Sequence, residues 1–462
     1  MKAGKKLLFT LAAVLFACVF RHTLALELTA GPVVPFASNE IHVRSDTGGL
    51  LTVTPCLPDF ELMPVTAASP VEAGESVLSW DGLSWGGEPV PSGFLTLKAV
   101  LQEPSGKTTE TTLRVKVSSP LCAAVSCLPA ADTFCPSQGV LKIECGLSRK
   151  GKVLLQIASA DNPDQVLRTL SAKAKDTVPV QLKWDGKDQS HNPLPTGEYL
   201  LTASTEACPG FRAAASVTLT EEPVILPEVF VTGDILPSDP ENDEEVWAAL
   251  TAPAVVGAGT EGQGLYLMKQ KAWSPGGSIS CRTVAVRVME LAEKGWVKIA
   301  VWRQAVGMYM EGWVQRDKLT VIAPRTRYGV LINKTQQTMT VYENGSRLGR
   351  IRISTGLLNA DNPLAATPPG VYLIGSRMKD FQNSGFHYDY PIRLHGDYLL
   401  HTVGYKVKDG MKVYTEELNN LGSPASHGCI RMDIRPAEDS SGLNAWWIWT
   451  HLPRDTRVIV VE

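Results

Sequence analysis

Ser79–Leu97 reads SWDGLSWGGEPVPSGFLTL, and Lys183–Leu201 reads KWDGKDQSHNPLPTGEYLL. Trp80-Asp81-Gly82 aligns with Trp184-Asp185-Gly186, and Pro91-Ser92-Gly93 with Pro195-Thr196-Gly197, both at an offset of 104 residues. A period of that length is too long for a solenoid and fits one sandwich-sized domain duplicated in tandem. Asp-Gly after each Trp suits a tight turn, and Pro-x-Gly before an aromatic suits a turn that feeds the next strand. Around the copies, runs such as LTLKAVL (95–101) and KVLLQIA (152–158) give the apolar and polar alternation of strands. The repeat predicts two β-sandwiches, residues 27–118 and 119–220, with Trp80 and Trp184 as core aromatics rather than platforms for sugars.

Working outward, 462 residues are too many for one hydrophobic core, and three or four domains are expected. The formal net charge of −3 and a pI near 6.3 show no basic excess of the kind that binds phosphates, so nucleic acid is not expected as a partner. The N-terminus has a basic start (MKAGKK), a 14-residue apolar run (LLFTLAAVLFACVF) and small residues before a cut after Ala25. This is the pattern of an export signal over residues 1–25, and the run is short for a spanning helix. Leu15-Phe16-Ala17-Cys18 offers a second reading, a lipoprotein signal lipidated at Cys18. Export makes disulfides chemically possible, and Cys122, Cys127, Cys135, Cys145 and Cys208 cluster where one or two bridges are expected, with connectivity open.

From 221 to 256 the chain turns rich in Pro, Asp and Glu, with SDPENDEE at 238–245, and reads as a linker whose acidic run is solvated. Between 257 and 323, KGWVKIAVW (294–302) and EGWVQRDKLTVI (311–322) read as strands of a small barrel. The last segment, 327–462, opens with YGVLINKTQQTMTVYENGSRLGRIRISTG (328–356), strands separated by turn chemistry. The fold class is therefore mainly β and multidomain.

The chemistry sits near the end, in Ser426-His427-Gly428-Cys429-Ile430-Arg431-Met432, with His401 upstream after the apolar run of β-type residues. A thiol with a pKa near about 8.5 is mostly protonated at neutral pH, and a neighbouring imidazole can take its proton and return it to a leaving amine. Glycine beside the cysteine lets backbone N–H groups approach an oxyanion. Residues alone leave a buried, inert cysteine open as the alternative. Zinc would need further ligands than His401, His427 and Cys429, so no metal or other cofactor is expected.

Three resemblances extend this reading. The sandwich repeat resembles the immunoglobulin-like domain of bacterial flagellar hook-capping proteins. Gly295-Trp296-Val297 and Gly312-Trp313-Val314 closing on Lys318-Leu319 resemble a bacterial SH3-like barrel, which implies cell-wall glycan or peptide as its ligand. The segment with Thr367-Pro368-Pro369-Gly370, His401, SHGCIRM and the closing strand RVIVVE is similar to the L,D-transpeptidase (YkuD) family. That likeness implies an exported enzyme of the cell envelope acting on peptidoglycan peptide stems. Cys429 would be the nucleophile and His401 its base, oriented by the carbonyl of Thr402. Ser426, His427, Gly428 and Cys429 would shape an oxyanion site, with Arg431 either pairing a stem carboxylate or supporting the loop. Transfer to an amine and hydrolysis by water both follow from the same acyl-enzyme, and a non-catalytic wall-binding protein is the rival reading. His395 is the rival histidine. The separation of His401 from Ser426 is long for that family, and the insert YKVKDGMKVYTEELNNLGSP (405–424) is expected as a loop or lid over the site.

Overall fold

The computed structural model describes residues 26–302, 309–323, 325–358, 365–439 and 441–462. The expected export signal, with Cys18, lies outside the described residues, and no described helix is long and apolar enough to cross a membrane. The chain divides into two compact units: one runs to Leu83 and resumes over Val90–Ser118, and the other takes Ser84–Pro89 and Ser119–Glu462.

The smaller unit is a sandwich of a three-stranded sheet (Leu26–Ala30, Asn39–Ser45, Gly74–Trp80) and a four-stranded one (Ser69–Val71, Gly49–Cys56, Gly93–Gln102, Thr108–Val117). The alternation in LTLKAVL is realised: Leu95, Leu97, Ala99 and Leu101 are all buried while the residues between them are not. The second sandwich opens the larger unit, with sheets of three strands (Val180–Trp184, Leu141–Leu147, Ala124–Pro129) and five (Asn162–Ala174, Gly151–Ser159, Gly197–Ser204, Ala213–Leu219, Thr133–Phe134). Its core forms around the fully buried Trp184, which meets Tyr199 edge-on at 5.4 Å between ring centroids.

The repeated Trp-Asp-Gly builds the same turn twice. Trp80 Nε1 donates to Leu83 O at 3.0 Å and Trp184 Nε1 to Lys187 O at 3.1 Å. Asp81 and Asp185 accept the backbone N–H of Leu83 and Lys187 at 3.0 and 3.3 Å. Gly82 and Gly186 take φ of +70° and +76°, where other residues are strained. The motif thus buries an indole while satisfying its one donor locally. The cysteines of this region depart from expectation: Cys127 and Cys145 face each other across paired strands, yet all eight described cysteines are free thiols. Cys122, Cys127 and Cys145 sit in the core of the second sandwich as small apolar side chains.

The expected linker is also corrected. Asp243–Thr251 is a helix capped by Asn242, whose side chain accepts the N–H groups of Glu244 and Glu245. The acidic run is its first turn, where carboxylates complement the helix dipole. Val246 and Leu250 are fully buried among Leu331, Tyr342 and Ile459 of the C-terminal domain, and Gly329 faces Leu250 so closely that a Cβ would lie 2.7 Å from it. The barrel starts three residues earlier than the expected 257, because Ala254–Gly257 pairs with Leu319–Ile322. Its other strands form a five-stranded antiparallel sheet, ordered Ala272–Ser280, Gly264–Gln270, Tyr309–Gln315, Trp296–Trp302, Arg287–Leu291.

The C-terminal domain is built on one eight-stranded sheet, whose strands we number β1 (Tyr328–Asn333), β2 (Thr338–Glu343), β3 (Ser346–Ser354), β4 (Gly370–Leu373), β5 (Ile392–His395), β6 (Tyr398–Thr402), β7 (Ile430–Met432) and β8 (Arg457–Val461). Their order is β4-β8-β1-β2-β3-β7-β6-β5. A helix forms over Ala445–His451, where Asn444 caps the start by accepting the Trp447 N–H, and Gly442 ahead of it takes φ of +72°. Trp446 and Trp449 of this helix are buried in the core, while Trp447 is half-buried and stacks on the exposed His451. Ion pairs tie the segments of the larger unit together: Arg454 reaches Glu144 of the second sandwich at 2.7 Å and Glu261 of the barrel at 3.0 Å.

Candidate active site

β7 is a three-residue strand inserted between β3, to which it is antiparallel, and β6, to which it is parallel. The register sets Arg431 directly opposite His401. Side chains two residues apart share a strand face, so Cys429, at the mouth of β7, belongs to the face that His401 and Arg431 occupy. Two hydroxyls pin the turn before it. Ser426 Oγ accepts the Gly428 N–H at 3.1 Å and donates to Cys429 O, while Thr367 Oγ1 donates to Gly428 O and accepts the Gly356 N–H, both at 2.8 Å. Gly428 takes φ of +115°, and a Cβ there would lie 1.9 Å from the Tyr398 ring. Only glycine fits. Its N–H is committed to Ser426 Oγ and the Ser426 N–H to Thr355 O at 3.0 Å, so two of the four expected oxyanion residues have their backbone donors engaged.

Cys429 is half-buried, and its thiol donates to Asp397 O at 3.5 Å. Burial pushes the thiol pKa up, against the Leu399 N–H and the Arg431 charge, which favour thiolate. His401 is buried and donates Nδ1–H to Thr402 O at 2.7 Å. A carbonyl only accepts, so the bond fixes the tautomer and leaves Nε2 unprotonated, able to accept a proton. Burial holds the imidazole down at about 4, with the Thr402 carbonyl opposing the shift and Arg431 adding to it. Tyr388 and Phe381 meet the ring edge-on, at 4.7 and 5.5 Å. Among the described residues no hydrogen bond joins the His401 ring to the Cys429 sulfur, and at neutral pH the two rest as imidazole and thiol.

The remaining expected residues fall as follows. His395 binds Ser280 Oγ of the barrel through Nδ1 at 3.1 Å, and burial holds it down at about 4. His427 is exposed. Arg431 is buried and pairs with Glu417 at 2.7 Å, so of its two expected roles the structure favours loop support.

Residues 327–460 match the model of the L,D-transpeptidase catalytic domain, YkuD. The C-terminal domain is the part of the chain that is similar to the YkuD family. Residues 139–207, inside the second sandwich, match the FlgD Ig-like domain. Over 134 residues the chain is 28% identical to YciB of Bacillus subtilis (strain 168), whose name assigns it provisionally to the L,D-transpeptidases; the match covers 28% of this chain and 63% of YciB. The chain thus spans less than two thirds of that relative's length. Among solved structures, an L,D-transpeptidase from Mycobacterium smegmatis is 13% identical, covering 49% of this chain and 87% of its own, with a TM-score of 0.23. One from Mycobacterium tuberculosis H37Rv is 18% identical at the same coverage, with a TM-score of 0.24.

Within the YkuD domain, the insert departs from the loop or lid expected of it. It forms a hairpin (Lys406–Lys408, Met411–Val413) and a short helix (Thr415–Leu418) that brace the residues behind the site. Lys412 Nζ lies 2.5 Å from Asp389 Oδ2, and Tyr405 OH donates to Asp389 Oδ1 at 3.1 Å. Asp389 in turn holds Thr402 twice, giving its N–H to Thr402 Oγ1 and accepting the Thr402 N–H on its carbonyl, both at 3.0 Å. Thr402 O orients His401. Sequence reasoning missed Asp389, Lys412 and Glu417, because each acts on the site across strands rather than along the chain; the long separation of His401 from Ser426 signalled only the insert that carries Lys412 and Glu417.

Proposed function

We propose that the chain is an L,D-transpeptidase that acts on peptidoglycan stem peptides through an acyl-enzyme on Cys429. The observation that carries this reading is a domain matched by the YkuD model in which Cys429 leads into β7, the strand that pairs in parallel with the His401 strand, the imidazole held by Thr402 with Nε2 free. Cys429 Sγ attacks the carbonyl of the third stem residue, forming the C–S bond. His401 Nε2 takes the thiol proton and gives it to the amine of the departing D-amino acid as the C–N bond breaks. An amine of a second stem then attacks the thioester, forms a new C–N bond and releases the thiolate, which is reprotonated. Because both groups rest neutral, attack and proton transfer belong to one step, and the oxyanion is met by the backbone N–H groups of His427 and Cys429.

Export to the cell envelope, with or without lipid at Cys18, belongs to the same reading, since the substrate lies outside the cytoplasm. An SH3-like role for the barrel is supported by a cavity of about 600 Å³ on it. Tyr266 and Trp273, 54% and 78% exposed, line that cavity and suit a wall glycan or peptide. Incubation with disaccharide-tetrapeptides and mass analysis of the products tests the function. Crosslinked dimers with release of the terminal D-residue are expected; trimmed stems alone would make the enzyme a hydrolase.

A further inference from the structure

The insert carries a charge to the site. Glu417, on the helix Thr415–Leu418, lies against Arg431 Nη1 with both side chains buried, and it is the carboxylate that pairs with this guanidinium among the described residues. Arg431 reaches Ala425 O at 3.5 Å, while its Nε has no hydrogen-bond partner among the described residues. Arg431 is therefore a buried cation that leans on one anion, directly opposite His401 and on the face of Cys429.

We propose that Glu417 is a positioning residue for the Cys429–His401 pair: it anchors Arg431 and neutralises its charge on the strand face that the pair occupies. The proposal rests on the reading of Cys429 and His401 as nucleophile and base. A bare guanidinium there makes the thiol more acidic and the imidazole a weaker proton acceptor, which unbalances a pair that must pass one proton back and forth. The other groups facing these side chains are Tyr388 and Phe381 at His401, Asp397 and the Leu399 N–H at Cys429, and Tyr388 at Arg431. Glu416, beside Glu417, is taken up by Lys406 at 2.7 Å and does not substitute for it. An insert of this length is what lets the chain between β6 and Ser426 deliver a carboxylate to the far side of Arg431.

The test uses the full chain and the rate of Cys429 alkylation by iodoacetamide against pH, followed on the Cys429 peptide by mass spectrometry. It is paired with turnover of disaccharide-tetrapeptide. In Glu417→Gln the alkylation midpoint is expected to fall by about half to one pH unit, and kcat about tenfold with KM little changed. Glu417→Asp keeps the charge and holds the midpoint. Glu417→Gln combined with Arg431→Gln removes both charges and returns the midpoint to the wild-type value. An unchanged midpoint in folded Glu417→Gln, or a double variant that stays shifted, overturns the proposal. Alkylation needs no stem peptide, so a midpoint shifted in Glu417→Gln beside a wild type without turnover overturns the functional reading while supporting the charge role of Glu417.

Discussion

At the residue scale the site is held by groups with little room for exchange. Gly428→Ala forces a Cβ into the Tyr398 ring and into a backbone conformation that L-residues resist, and a drop in stem turnover of at least about a hundredfold is expected, with the protein otherwise folded by circular dichroism. His401 and His395, held down at about 4 by burial, also link stability to pH. Between the ordinary value near about 6.5 and 4 the unfolded chain binds more protons, so their contribution is present above 6.5 and is lost as pH falls through 4, on the order of 3 kcal/mol each. Glu88 and Asp380, pushed up to about 7 and about 6, act in the opposite sense over the same range. The check is therefore a difference: His395→Asn should lose less stability than the wild type between pH 7 and pH 4.5 in urea melts, and an equal loss contradicts the assignment. Cys429 and His401 stand out as candidates in the sequence because a short motif and an apolar strand mark them. Asp389, which holds Thr402, was not, since nothing near it in the chain distinguishes it from a surface aspartate.

At the element scale, composition misled where pattern was short. Residues 238–245 read as a solvated acidic run, yet Asn242 and the acidic turn start a helix in which Val246 and Leu250, four residues apart on one side, are fully buried. A nine-residue helix offers too few positions for its period to stand out against a Pro-rich and acidic flank. Leu250→Ala should cost about 2–5 kcal/mol and Asn242→Ala about 1 kcal/mol in chemical denaturation. Near-neutral values for both would return the segment to the role of linker. The sandwich strands were legible because Leu95, Leu97, Ala99 and Leu101 alternate cleanly, and because the same Trp-Asp-Gly turn is written twice.

At the scale of the larger unit, second sandwich, helix, barrel and YkuD domain share cores and ion pairs rather than hanging on tethers. Arg454 joins Glu144 and Glu261, and Val246 and Leu250 cover the face of the C-terminal sheet. None of this shows in sequence, because a pair separated by some three hundred residues leaves no local pattern. A fragment of residues 327–462 exposes that apolar face and should aggregate or bind hydrophobic dye, whereas a fragment of residues 237–462 keeps the helix and stays soluble. Equal behaviour of the two would contradict the shared core.

The central claim, acyl transfer through Cys429, is tested most directly by the intact mass of the full chain after brief exposure to disaccharide-tetrapeptide. The account predicts one acyl adduct, mapped to the Cys429 peptide, absent in Cys429→Ala and lost on adding an acceptor amine as crosslinked product appears. No adduct and no product in the wild type, or an adduct that persists in Cys429→Ala, would contradict it.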